Sequence, residues 1–97
     1  MIRLGGGILQ RRATKRVQPM LPKGRAPGTI TVEVIVDEIG RVESARIVSG
    51  APFRVAVSDD PLLEKAALEA ARQWRFKPER VEGEAVKIIG ELFFTLR

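Results

Sequence analysis

Two adjacent acid pairs, Asp37-Glu38 and Asp59-Asp60, are the side chains of this 97-residue sequence best spaced for general acid–base work, and Gly5-Gly6-Gly7 is the run best suited to a phosphate. Their neighbours argue against both chemistries. The sequence has no His, Cys or Tyr, which removes the commonest proton carriers, nucleophiles and metal ligands together. Asp37-Glu38 is followed by Ile39-Gly40, which is turn chemistry. Asp59-Asp60 is followed by Pro61, a helix start, where the helix dipole favours negative charge. The glycine run has no strand before it and no Lys-Ser/Thr after it, as a phosphate loop requires. Oxygen-ligand spacing of the EF-hand kind is absent. The expectation is a binding module that is not an enzyme and takes no cofactor or metal.

Length and composition fit one domain with a single modest core: 44% hydrophobic and 30% charged residues. The longest apolar stretch, residues 88–96, is broken by Gly90, Glu91 and Thr95 and cannot span a membrane. Residues 1–9 carry one arginine and are too weak for a signal peptide. The net charge of +5 is unevenly placed. Residues 1–27 hold Arg3, Arg11, Arg12, Lys15, Arg16, Lys23 and Arg25 and no acid, whereas residues 28–97 hold 10 basic and 12 acidic residues. The division expected is a basic Gly/Pro-containing arm over residues 1–27 and a folded body over 28–97. The body is slightly acidic and has no arginine–aromatic interleaving to stack bases, so nucleic acid is not the expected partner.

The elements that would position any site follow from periodicity. Residues 28–37 alternate strictly, with Ile30, Val32, Val34 and Val36 on one face, and predict a half-buried strand. A turn at Asp37-Glu38-Ile39-Gly40 returns the chain into a second strand over 41–49, where the opposite parity of Val42 and Ala45 predicts a bulge. Asp60 caps a helix that opens on Pro61 and sets Leu63, Ala66, Ala67, Ala70 and Trp74 on one face, with Phe76 following and Pro78 stopping it. Residues 79–84 read as a polar loop. Residues 85–96 read as the last strand, with Val86, Ile88, Leu92, Phe94 and Leu96 inward and Ile89 and Phe93 outward. The fold class is therefore α+β: a β-β-α-β core whose three-stranded antiparallel sheet has the order 2-1-3, with one main helix packed on one face. Its expected core comprises Val32, Val34, Leu63, Ala67, Ala70, Trp74, Phe76, Leu92 and Phe94. Strand three is left as a free edge. The extended arm can add a short strand from residues 8–17, which would cover Ile89 and Phe93; a second copy could cover them instead.

The ordered series Gly28-x-Ile30-x-Val32, Gly40-Arg41-Val42, Ser49-Gly50, Leu63-x-x-Ala66-Ala67, Trp74-Arg75-Phe76-Lys77-Pro78 and Gly83-x-x-Val86 resembles the C-terminal domain of TonB-type energy transducers over residues 18–96. The Trp-Arg-aromatic-x-Pro run is its most specific part. Gly6-Gly7-Ile8-Leu9 is also similar to TonB-family proteins with longer arms. The resemblance implies a periplasmic domain of a Gram-negative bacterium, tethered to the inner membrane by an N-terminal helix outside this chain. An ExbB/ExbD-type motor would energise it with the proton gradient. Its partner would be the TonB box of an outer-membrane transporter of iron chelates, cobalamin or other scarce ligands, added as a strand to Ala85, Val86, Lys87, Ile88, Ile89, Gly90, Glu91, Leu92 and Phe93. Gln18, Pro19 and Leu21 correspond to the family's Gln-Pro-x-Tyr-Pro lead-in. Leu21 stands where the family has tyrosine, which keeps packing and loses a hydroxyl. The link over residues 51–61 is longer than the family's, with Phe53, Val55 and Val57 alternating, so it extends strand two or forms a flap. The alternative reading is a TonB-like structural or sensory domain of another membrane protein, coupled to no motor. A homodimer through the last strand is compatible with either.

Overall fold

A computed structural model describes residues 1–5, 7–48 and 60–97. At its centre is β3 (Gly28–Val36), whose Ile30, Val32, Val34 and Val36 are all buried. Strict alternation of β-branched residues commits one face of that strand to the core. β4 (Val42–Ile47) returns antiparallel. Ile35 pairs with Ser44 but Val36 pairs with Val42, so Glu43 is the extra residue of a bulge, as the parity change predicts. In the turn, Asp37 Oδ1 accepts from the backbone N–H of Ile39 (3.1 Å) and of Arg41 (2.9 Å). Gly40 has φ 89°, and a Cβ there would stand 2.0 Å from the carbonyl oxygen of Phe76.

That contact ties two sequence signals together. The main helix α2 (Pro61–Arg72) ends with Gln73 as its C-cap, one turn sooner than Pro78 would impose. Trp74 is therefore not on the helix. It opens an extended segment whose Arg75–Phe76 form a short strand, and the Phe76 N–H donates to Gly40 O at 2.9 Å. Arg75 bridges Arg41 on one side and pairs with Lys15 on the other. Trp74 and Phe76 reach the core as expected, by extension of the backbone instead of by helical spacing.

The helix N-terminus follows its signal. Asp60 is the N-cap and accepts from Leu62 N–H at 3.0 Å, with Pro61 in the first turn. Arg25 of the arm donates to both carboxylate oxygens of Asp60, at 2.9 and 3.0 Å. The arginine hydrogen bond, with help from the cap, holds the Asp60 carboxyl below its usual range. A carboxylate whose folded pKa is depressed stabilises the fold above its unfolded value of about 3.9, and that contribution is lost as pH falls through the folded value. Asp60→Asn, which keeps a cap acceptor, is expected to flatten the fall of the melting temperature below about pH 4. An acid limb of unchanged slope in thermal melts would show that the pair does not contribute to it.

The strand order β4-β3-β8, with β8 (Ile88–Leu96), is the predicted 2-1-3 arrangement, antiparallel throughout. The sheet nevertheless differs from the expected three-stranded antiparallel one. β1 (Ile2–Leu4) pairs parallel with β8, Ile2 opposite Ile88 and Leu4 opposite Gly90, giving a four-stranded mixed sheet. The edge predicted to be free is occupied along that stretch. A Cβ on Gly90 would meet Leu9 Cδ2 at 2.7 Å and Leu4 O at 2.8 Å, so glycine at this position is what lets the arm close on the strand.

Three further local readings change. Residues 8–17 do not form one strand: Ile8–Arg11 is a single helical turn, α1, and only Ala13–Lys15, β2, is extended, antiparallel to β5 (Arg75–Phe76). The polar loop is a small hairpin of β6 (Glu79–Val81) and β7 (Glu84–Val86) turning at Glu82-Gly83. The last strand is interrupted at Lys87, which separates β7 from β8. The alternating residues Phe53, Val55 and Val57, the Ser58-Asp59 part of the helix start, Ser49-Gly50 and Gly6 lie outside the described residues.

α2 covers one face of β3 and β4, burying Leu63, Ala67, Ala70 and Ala71. Leu9 fills the space that Gly90 leaves and is fully buried in the same cluster. Burying a leucine removes enough apolar surface to stabilise by roughly 1.5–3 kcal/mol. Val17 and Leu21 pack against the core from its rim. Three of the arm's basic side chains are paired with body acids: Arg3 with Glu33, Arg12 with Glu79 and Arg25 with Asp60.

Candidate functional site

A strand edge is a row of backbone donors and acceptors, and β8 presents one. The Phe93 N–H donates to Gln10 Oε1 at 3.2 Å, and Gln10 Nε2 donates to Phe93 O at 3.4 Å. Both polar groups of Phe93 thus point away from β3. Alternation puts those of Ile89, Glu91 and Thr95 on the same side. Lys87 O, one step earlier, accepts from Ile2 N at 2.9 Å, and Gln18 Nε2 donates to Thr95 O at 3.1 Å. The arm therefore meets this edge at both ends, first with backbone from β1 at Lys87–Gly90, then with two glutamine side chains at Phe93 and Thr95.

The side chains around the edge divide by face. Ile88, Leu92 and Phe94 are buried, while Ile89 is half-buried and Phe93 stays 39% exposed. On that second face Glu33 lies directly opposite Glu91. Like charges so placed are unfavourable, and Glu33 is relieved by Arg46 Nε at 2.8 Å and by Arg3 at 3.4 Å. Lys87 is held by Glu43 at 2.6 Å, and that hydrogen bond raises its pKa above the usual lysine value.

Of the residues singled out for partner contact, Gln18, Pro19 and Phe93 come together. With Thr95 and Arg97 they line an open groove of about 430 Å³ at the end of the edge. A second groove of about 350 Å³ lies across the Gln18-Pro19 ridge, between it and Ala66, Glu69 and Ala70 of α2 with the C-cap Gln73. Leu21 faces inward against the core, which is the packing role open to it without a hydroxyl. Lys87, Ile88, Ile89 and Gly90 lie beside β1, and Glu91 and Leu92 continue the strand towards Phe93. Ala85 and Val86 pair with Arg80 and Glu79 in the small hairpin, away from the groove. Sequence reasoning missed Gln10, Arg3 and Arg97. A side-chain amide carries its donor and its acceptor on separate atoms, as the peptide groups of a strand edge do. Two glutamines in an otherwise basic arm were the available signal.

Trp74 anchors the lead-in. It is 3% exposed, packs edge-on to Phe94 with ring centres 5.7 Å apart, and donates from Nε1 to Val17 O at 2.8 Å. Among the described residues no group of three or more acids could hold a metal ion, and no helix is long and apolar enough to cross a membrane.

With the strand order, the Trp-Arg-Phe segment and the edge in place, comparison with known families has a geometry to meet. The family described as the Gram-negative bacterial TonB protein C-terminal matches residues 20–96. The chain belongs to the TonB C-terminal domain family. No curated protein matches it. The match takes in the hairpin, α2, the Trp74-Arg75-Phe76 segment and β8, and it begins between Pro19 and Leu21 of the lead-in. The TonB C-terminal domain is a non-catalytic, transport-associated domain of a periplasmic family.

Proposed function

We propose that this TonB C-terminal domain is an energy-transducing adaptor that takes the TonB box of an outer-membrane transporter as an added strand on β8. The observation that carries the reading is the edge itself. Its backbone groups at Phe93 and Thr95 face outward into a groove bounded by Gln18 and Pro19, and they are held by side-chain amides that another backbone can replace. Strand addition draws affinity from such main-chain groups and selectivity from alternate side chains. Phe93 and Thr95 are the alternate side chains on the groove side. An ExbB/ExbD-type motor, reached through an inner-membrane segment outside this chain, supplies the coupling to proton-motive force.

The test is a titration of isotopically labelled full chain with TonB-box peptides, followed by NMR. Expected shifts fall on Phe93, Thr95, Arg97 and Gln18. Unperturbed spectra with several boxes at millimolar peptide, on a folded protein, would favour the second reading, a TonB-like structural or sensory domain. The pairing of β1 along Ile88–Gly90 is the observation that speaks for that alternative.

A further inference from the structure

What covers the β8 edge is short and of two kinds. β1 has three residues, and its ion pair among the described residues, Arg3 with Glu33 at 3.4 Å, is largely exposed on the arginine side. Such pairs contribute little. Beyond β1, Gln10 makes at Phe93 the two hydrogen bonds, one accepted and one donated, that a strand residue would make there. Gln18 supplies the donor at Thr95. By contrast the rest of the arm is fixed: Leu9 is fully buried, Val17 O is held by Trp74, and Arg25 is doubly bonded to Asp60. The arm therefore has a seated part from Leu9 onward and a thinner part, β1, whose three residues lie along the edge with Ile2 and Leu4 only half-buried against the core.

We infer that Ile2–Leu4, with Gln10, is an internal occupant of the partner-binding edge, and that a partner strand binds by taking its place. The exchange starts at the groove of Gln18, Pro19, Phe93, Thr95 and Arg97, where the incoming backbone displaces two glutamine side chains. It ends with release of β1 from Ile88–Gly90. A short strand lying on the edge also protects the empty domain from pairing with other edges. The apparent affinity for a partner is then its intrinsic affinity reduced by the fraction of molecules whose edge is open. The identity of the incoming strand rests on the adaptor reading; the occupation of the edge by β1 does not.

The experiment uses the full chain in wild-type form and as Ile2→Pro/Gln10→Ala, which removes the donor to Lys87 O and the Phe93 mimic. Arg3→Glu, which sets a third acid beside Glu33 and Glu91, is the second variant and is read in the same way should the first fail to fold. Amide hydrogen exchange is measured at Ile89, Glu91 and Phe93 on the open side and at Ile88 and Leu92 on the β3 side. Each protein is titrated with a TonB-box peptide and with a peptide of residues 1–5. Expected in the variants is faster exchange on the open side alone, with binding of both peptides about tenfold tighter than to wild type. Equal TonB-box affinity in variant and wild type would overturn the occlusion and leave the adaptor reading standing. Binding of the residue 1–5 peptide to the variants alone, with no TonB-box binding to any form, would uphold the occlusion and sink the adaptor reading. Unchanged open-side protection in the variants would overturn the inference outright.

Discussion

Gly40→Ala is expected to lower the melting temperature by about 15–30 °C, a loss of about 4 kcal/mol in a domain of this size. Two independent costs meet at this residue. Its φ of 89° lies in the left-handed region, where a side chain costs roughly 1–2 kcal/mol. The added methyl would also stand 2.0 Å from Phe76 O, and that oxygen belongs to backbone and cannot rotate aside. Relief requires the hairpin turn and the Trp-Arg-Phe segment to part. That breaks the Phe76 N–H to Gly40 O bond of 2.9 Å and the Arg41–Arg75 bridge, each contributing about 1 kcal/mol. Gly83→Ala is the control. Its φ of 84° imposes the same conformational strain, but nothing lies within 4 Å of the added Cβ. A melt of Gly40→Ala no lower than that of Gly83→Ala would mean that the close approach to Phe76 carries no stability. Against a total stability of about 5–15 kcal/mol, the expected loss leaves the domain marginal at 37 °C.

The parts of this fold that periodicity revealed are those whose signal is local and repeated. β3 alternates over nine residues, the turn has an Asp at its start and a Gly at its end, the parity change at Val42 marks the bulge, and Asp60-Pro61 marks the helix start. The parts it missed are too short to have a period or find their partner far along the chain. Ile2-Arg3-Leu4 alternates once, and its partner, Ile88–Gly90, lies near the other end of the chain, so no local pattern distinguishes it from a mobile tail. β6 and β7 are three residues each, and their acids and arginine read as loop. The helix boundary failed for a different reason. Trp74 sits at helical spacing from Ala67 and Ala70 and is buried, but the backbone that delivers it is extended; two geometries place the same side chain on the same core. Gly90 held the most recoverable information about the site. A glycine inside a strand marks close approach by another backbone, and here that backbone is Leu4, whose strand closes the edge. The groove residues Gln18 and Pro19 were reached through family resemblance and Phe93 also through its outward place on an alternating strand, whereas Gln10 has no counterpart in that pattern.

The same distinction between core and arm gives the second large effect, at Trp74. Trp74→Ala removes the ring that packs edge-on to Phe94 and lies 6.0 Å from Phe76, so a loss of about 3–5 kcal/mol is expected from the cavity and lost contacts. Trp74→Phe separates the ring's two roles. It keeps an aromatic against Phe94 but withdraws the Nε1–H that Val17 O accepts at 2.8 Å, for a cost of about 1–3 kcal/mol if that carbonyl finds no other donor. The melting temperature should therefore fall by about 15–30 °C for alanine and by about half of that for phenylalanine. Hydrogen exchange at Gln18, Met20 and Leu21 should quicken in Trp74→Phe while β3 keeps its protection, because the bond to Val17 holds the lead-in and not the sheet. If the lead-in amides exchange as in wild type, Leu21 and the Arg25–Asp60 pair are sufficient to seat that segment. The Gln18-Pro19 wall of the groove would then stand independently of the tryptophan.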